Sequence, residues 1–363
     1  MNLKEKVGQL FMLGFTGTEV SKELRELFHA YHPGGVILFS RNLEDAAQAA
    51  HLTNALQKLA PAMPLFVSID QEGGRVARLP KGFTAFPGQG ALGRAGAVDL
   101  AYSFAEVTAA ELRAIGVNMN LTPVLDINTN PHNPVIGDRS FGDDPLQVET
   151  LGLAVIAGHQ DNSVMACGKH FPGHGDTAVD SHKALPVVSH SIERLREIEL
   201  RPFVHCFRNG LAAVMSAHVK YPALDPDAPA TLSPAIMTDL LRTQLHFEGL
   251  ALSDDLEMRA ILDHYGIEEA AVRSVQAGVN VLIIGKTPDE QVAAIDAVYH
   301  AVKKGIISEL QFQHAVLRVL EAKERYLIPH KPADPKTAAA RVGTPRHREV
   351  AQAIREAAAQ PIV

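Results

Sequence analysis

The chain has 363 residues, enough for one large domain or two ordinary ones, and its 46% hydrophobic and 21% charged content is that of a soluble globular protein. A net charge of −7, with no lysine/arginine block, excludes a nucleic-acid surface, and only two cysteines, Cys167 and Cys206, exclude a disulfide framework. No apolar segment is long enough to span a membrane.

Lys4 and Lys6 precede only a short apolar run, Val7 to Phe15, unlike a signal peptide. A cytoplasmic protein is expected, or a secreted or lipid-anchored one if a leader was removed. Short apolar runs then recur at Gln9–Phe15, Gly35–Phe39, Leu65–Ile69, Val117–Leu125, Val164–Cys167, Ala212–Ala217, Leu250–Leu252 and Val281–Ile284. Helical patterns lie between them, such as Leu52, Leu56, Leu59, and Leu100 to Ala114 stopped by Gly116. A further helix spans Thr287 to Lys304, with Thr287 as N-cap, Pro288 in the first turn and Glu290 as capping-box partner. Ser308 and Gln311 open a final helix through Val316 and Val319. Continuous apolar strands alternating with helices predict a parallel sheet covered on both faces. With eight such units the economical closure is an α/β fold of the (β/α)8 TIM-like barrel type. A doubly wound open sheet is the alternative, but no glycine fingerprint follows the first strand. Residues 1–328 are read as the barrel and 329–346 as a proline- and lysine-bearing linker. Residues 347–363 read as a tail or the start of a truncated second α/β domain, with Pro361-Ile362-Val363 resembling a new strand.

In such a barrel the chemistry sits at the carboxyl ends of the strands. Those ends carry Asp70 with Arg75 and Arg78, Asp126, Asp138 with Arg139, Lys169 with His170, His218, and Asp254 with Asp255. This ring of acids, bases and arginines suits a hydroxyl-rich, partly charged ligand. Plainer readings stand beside each: Ser253 to Glu257 as a helix capping box, Asp70 paired with Arg75, Arg139 paired at the surface with Asp138 or Asp143, and His218 as a satisfied core histidine.

The densest stretch is Lys169-His170-Phe171-Pro172-Gly173-His174-Gly175-Asp176-Thr177-Ala178-Val179-Asp180-Ser181-His182, which reads as a shaped loop. One chemistry for it is metal binding, with His170, His174, His182, Asp176 and Asp180 as ligands. The other is acid–base work. Asp180 and His182 are two apart, so in an extended segment their side chains point the same way; the carboxylate then fixes the imidazole tautomer, leaving the second nitrogen to carry a proton. A nucleophile must come from elsewhere on the mouth, and Asp254 is the best-placed carboxylate.

The loop, together with Asp70-Gln71-Glu72-Gly73-Gly74-Arg75-Val76-Ala77-Arg78, Gly137-Asp138-Arg139-Ser140-Phe141 and Ser253-Asp254-Asp255-Leu256-Glu257-Met258, resembles the family 3 glycoside hydrolases. Within them it is similar to the bacterial beta-N-acetylglucosaminidases of peptidoglycan recycling. The resemblance covers about the first 330 residues. It implies a retaining mechanism without a metal or other cofactor, acting on N-acetylglucosamine-containing glycans or muropeptides. It makes Asp254 the nucleophile, His182 the acid/base and Asp180 its partner, with Asp70, Arg78, Arg139, Lys169 and His170 binding the sugar. Asp255 is left without a role, and Asp254 is expected both to cap its helix and to attack. The glycines of the loop suggest that it closes on bound sugar. A beta-glucosidase-like member of the family, a phosphorylase using phosphate in place of water, and a barrel that only binds cell-wall sugars remain as alternatives.

Overall fold

The computed structural model describes residues 1–179, 181 and 185–360. Eight parallel strands close a barrel: β1 (Phe11–Leu13), β2 (Gly35–Leu38), β3 (Phe66–Ile69), β4 (Met119–Asn120), β5 (Met165–Phe171), β6 (Ala213–Ser216), β7 (Leu250–Asp255) and β8 (Val281–Ile284). Each pairs with its chain neighbours, and β8 returns to β1 through Phe11–Leu282, Met12–Ile283 and Leu13–Ile284. This is the expected (β/α)8 architecture, formed because strands apolar on both faces must be covered by helices outside and filled by side chains inside. A small antiparallel hairpin, Lys220–Tyr221 with Asp225–Pro229, is added after β6.

Strand lengths depart from the apolar runs at the places that matter for chemistry. β4 is only Met119–Asn120, whereas β5 runs through Lys169 and His170 to Phe171, and β7 runs through Asp254 to Asp255. Hydropathy stopped both of the latter strands early because polar residues at a barrel mouth are held by strand hydrogen bonds as firmly as apolar ones. Both strands are also bulged. Lys169 pairs with Met215 and Phe171 with Ser216, leaving His170 as the extra residue; Leu252 pairs with Val281 and Asp255 with Ile283, so one extra residue lies at Ser253–Asp254. A bulge re-aims the side chain beside it, and these two sit at the candidate site.

Helix ends bear out one cap and correct two. Ser308 and Gln311 form a capping box at Glu309–Leu327. Thr287, in contrast, makes no side-chain cap for Pro288–Lys303, and its own N–H, the one a capping-box Glu290 would accept, goes instead to Glu257 at 3.0 Å, beside that of Lys286 at 2.5 Å. Nor does Asp254 cap a helix: it lies in β7, and the next helix, Arg259–Tyr265, begins after Met258.

Beyond the barrel, helix Pro335–Arg341 packs Ala338 among Leu52, Leu56 and Leu112, and helix Pro345–Ala358 packs Ala351 and Ile354 against Leu92 and Phe104. Glu111, 1% exposed, ties them down by accepting from the Thr84 hydroxyl, the Gly343 N–H and His347 Nδ1. Pro361-Ile362-Val363 lies outside the described residues. Among the described residues, no helix is long and apolar enough to cross a membrane.

Candidate active site

Two ion networks at the carboxyl ends of the strands build the site. In the first, the segment that follows β3 supplies Asp70 and Glu72, two residues apart and turned to the same cation. Lys169, from β5, places Nζ 2.8 Å from Asp70 Oδ1 and 2.6 Å from Glu72 Oε1. Arg139 reaches Glu72 with Nε and Nη2, both at 2.9 Å, in the forked geometry that favours arginine. Burial would raise the Glu72 carboxyl, but the adjacent Lys169 and Arg139 cations hold it far below the ordinary carboxylate range. Arg78 is 3.8 Å from Asp70 through Nη2, while its buried Nε has no hydrogen-bond partner.

The plainer pairings are thereby corrected. Arg75 pairs with Asp138 at 2.8 Å, not with Asp70, and its Nη2 also bonds the carbonyls of Val135 and Ile136. Arg139 turns inward to Glu72, not outward to Asp138 or Asp143. Glu72 is the residue the sequence reading missed; its signal was the i, i+2 relation to Asp70.

The second network is centred on Asp126, which is fully buried. One carboxylate oxygen accepts from the His170 N–H at 3.1 Å and the His174 N–H at 2.7 Å, and the other from His170 Nδ1 at 2.7 Å. This fixes the His170 ring. His174 is occupied on both nitrogens, by Thr177 Oγ1 at 2.8 Å and Ser181 Oγ at 3.1 Å, and burial pushes its pKa down to about 4. With both ring nitrogens engaged in hydrogen bonds, His174 has no lone pair free for a metal. Asp176, another candidate ligand, bonds Thr129 and pairs with His190 at 2.7 Å. Among the described residues there is no cluster that could hold a metal ion. His218 bonds Thr231 Oγ1 and the Asp255 carbonyl.

Asp254 lines a cavity of about 260 Å3 together with Asp70, Glu72, Arg78, Arg139, Lys169 and His170. Burial works against its ionisation, but the charges of His170, His218 and Lys169 and the hydrogen bond from the Asp255 N–H, 2.8 Å to Oδ1, outweigh it and hold the carboxyl below its ordinary value. The group is thus an anion with one oxygen fixed. Asp180 and His182 lie outside the described residues; Ser181 between them lines the same cavity.

A barrel that gathers an ionised aspartate with a charged, hydrogen-bonding ring in a sugar-sized cavity is of the glycoside hydrolase class. Residues 2–322 match the glycosyl hydrolase family 3 N terminal domain, and the chain belongs to that family. It is 36% identical over 362 residues to beta-hexosaminidase A of Pseudoalteromonas piscicida, covering 92% of this chain and 60% of that protein. It is 37% identical over 329 residues to the beta-hexosaminidase of Nitrosomonas eutropha, covering 87% of this chain and 93% of that protein. A family 3 beta-N-acetylglucosaminidase structure from Paenibacillus sp. str. FPU-7 superposes with a TM-score of 0.96 and 46% identity, over 99% of this chain and 69% of that one.

Proposed function

We propose that the chain is a retaining exo-beta-N-acetylglucosaminidase that removes terminal N-acetyl-beta-D-glucosamine from peptidoglycan fragments or chitooligosaccharides. The observation that carries this reading is Asp254, an ionised carboxylate with one oxygen held by the Asp255 N–H, lining the same cavity as Lys169, His170 and Arg139. A cavity of about 260 Å3 suits one terminal sugar unit, since sites for larger ligands run from roughly 300 to 1,000 Å3.

In this reading Asp70, Arg78, Arg139, Lys169 and His170 hold the sugar hydroxyls. His182, oriented by Asp180, gives its proton to the glycosidic oxygen while Asp254 attacks the anomeric carbon. The bond to the leaving group breaks and a glycosyl-aspartate forms. His182, now neutral, removes a proton from water, which attacks the same carbon, frees Asp254 and restores the protonated imidazole. Ser181 beside Asp254 in the cavity supports delivery of His182 from that loop. A histidine in place of the second carboxylate does not repel an acidic aglycone, which suits muropeptides. No cofactor enters this chemistry. All these residues lie between 70 and 254, so residues 1–328 are the proposed catalytic unit.

Turnover of 4-nitrophenyl N-acetyl-beta-glucosaminide tests the reading. Activity should persist with chelator and be lost in Asp254→Ala and His182→Ala. Loss with chelator would restore the metal reading, full activity in His182→Ala would favour the beta-glucosidase-like one, and sugar binding without turnover in the wild type would leave only a binding barrel.

A further inference from the structure

The five residues from Ser253 to Glu257 divide their side chains by alternation. Ser253 Oγ accepts the Ile283 N–H at 2.9 Å, Asp255 Oδ1 accepts the Gly285 N–H at 3.2 Å, and Glu257 accepts the Lys286 and Thr287 N–H groups at 2.5 and 3.0 Å. Every second residue is thus spent on the end of β8, and Asp254 alone among the polar ones lines the cavity. Asp255 stands at the centre of this arrangement. Its Oδ1 also accepts the Glu257 N–H at 3.0 Å, its carbonyl accepts from His218 Nε2 at 3.0 Å, and its N–H is the donor to Asp254 Oδ1. The fit against β8 is close: a Cβ on Gly285 would lie 2.4 Å from Asp255 Oδ2.

We propose that Asp255 is a positioning residue for the nucleophile: its carboxylate locks the end of β7 onto β8, so that its own main-chain N–H is aimed at Asp254 Oδ1. This inference rests on the assignment of Asp254 as nucleophile. The donor is on the peptide that follows a bulge, and the Asp255 side chain ties this irregular end of β7 to the segment after β8. Displacing that peptide turns the Asp254 carboxylate away from the anomeric carbon without altering the groups that hold the sugar.

A purely structural clamp would not be an acid at this place. Burial pushes the Asp255 carboxyl up to about 7, with the neighbouring Glu257 and Asp254 carboxylates adding to the effect. The facing charges from other elements are Arg41 after β2 and His218 after β6. Because the folded pKa is raised from 3.8, holding the ionised acid costs stability increasingly from the ordinary carboxyl range up to about 7, and fully above it. An asparagine keeps the shape and one acceptor without that cost, yet it weakens the grip on the two N–H groups.

The test is Asp255→Asn in the full chain, with 4-nitrophenyl N-acetyl-beta-glucosaminide as substrate and N-acetylglucosamine binding measured by calorimetry. The expected result is a kcat lower by about 10- to 100-fold, as for a small misplacement of a reacting group. KM and N-acetylglucosamine affinity should stay near wild type, and Tm at pH 8 should be no lower. Wild-type kcat in Asp255→Asn overturns the inference, and so does a fall in Tm and sugar affinity in step with kcat, which marks a structural role only. Should Asp255→Asn not fold, Gly285→Ala carries the test by pressing on the carboxylate from β8, with the same split between kcat and KM expected. An inactive wild type would instead sink the glycosidase reading itself.

Discussion

Arg139 and Glu72 face each other through two parallel hydrogen bonds of 2.9 Å, beneath a cavity in which the ammonium of Lys169 also touches Glu72. The glutamate is 1% exposed and neutralises Arg139, which has no other carboxylate partner among the described residues, while sharing Lys169 with Asp70. Removing one partner of a buried ion pair is costly because the others stay desolvated. Glu72→Ala is expected to lose about 3–5 kcal/mol in urea unfolding and to raise KM, since Arg139 loses its carboxylate anchor and Lys169 one of its two. As the folded pKa of Glu72 is depressed, its stabilisation is complete above the ordinary 4.5 and is lost only as pH falls below that value. A Glu72→Ala variant as stable as wild type at pH 7 would show that the network contributes nothing net.

Acid should begin to destabilise the protein before its carboxylates titrate. His159 and His174 are buried, and burial lowers both pKa values from 6.5 to about 4. His159 donates from Nδ1 to the Val155 carbonyl at 2.9 Å and accepts from Asn120 at Nε2, so it is held neutral. Between pH 6.5 and 4 the unfolded chain takes up these protons and the folded one does not, so stability falls as pH drops, by up to about 3 kcal/mol for each. Urea midpoints between pH 7.5 and 4.5 measure this slope. His159→Leu, although less stable overall because Asn120 loses an acceptor, should show a shallower one; an unchanged slope would assign it to other groups.

The barrel was legible in the sequence because each strand is apolar on both faces, and eight such runs leave few ways to close. Of the candidate site, Asp70, Arg78, Arg139, Lys169, His170 and Asp254 could be named from the strand ends and motifs, and all six line the same cavity. What could not be read was which charge meets which. Arg75 and Arg139 stand near both Asp138 and the Asp70–Glu72 turn, and only the path of the loop from Val135 to Ser140 decides that the buried acid receives Arg139. The bulges at His170 and Ser253–Asp254 were hidden for a similar reason, since an extra residue in a strand leaves no trace in composition.

Lys323 is fully buried on the opposite side of the fold's logic, a lone amine in an apolar setting. Its Nζ donates to Gln9 Oε1 at 2.7 Å and lies 5.2 Å from the centre of the Phe66 ring; burial lowers its pKa from 10.5 to about 7. The unfolded chain keeps this proton up to pH 10.5, so wild-type stability should rise between pH 7 and 10 from this group. Lys323→Met, which fills similar space, is expected to raise stability at pH 7 by roughly 2–4 kcal/mol and to remove that rise. A destabilised Lys323→Met would mean that the bond to Gln9 outweighs the cost of burial.

Gly175 shows how tightly the loop after β5 is seated. A Cβ there would lie 1.7 Å from the Ile127 carbonyl oxygen, a backbone atom that cannot step aside. The same segment is held by Asn133, whose side-chain amide donates to the carbonyls of His174 and Gly175 at 2.9 and 3.0 Å. Alanine at 175 must therefore lift the loop from the wall formed by Ile127 and break the Asn133 bonds. Since Ser181 reaches His174 from further along the same loop, the displacement passes to the segment that carries His182 in sequence. Gly175→Ala is expected to lower kcat/KM by about 100-fold or more, the scale of a misplaced catalytic group. Asn133→Ala, which removes the bonds without the clash, should fall between it and wild type. Steady-state rates on the aryl glucosaminide order the three proteins, and a Gly175→Ala enzyme as active as wild type would mean that this seating is irrelevant to turnover.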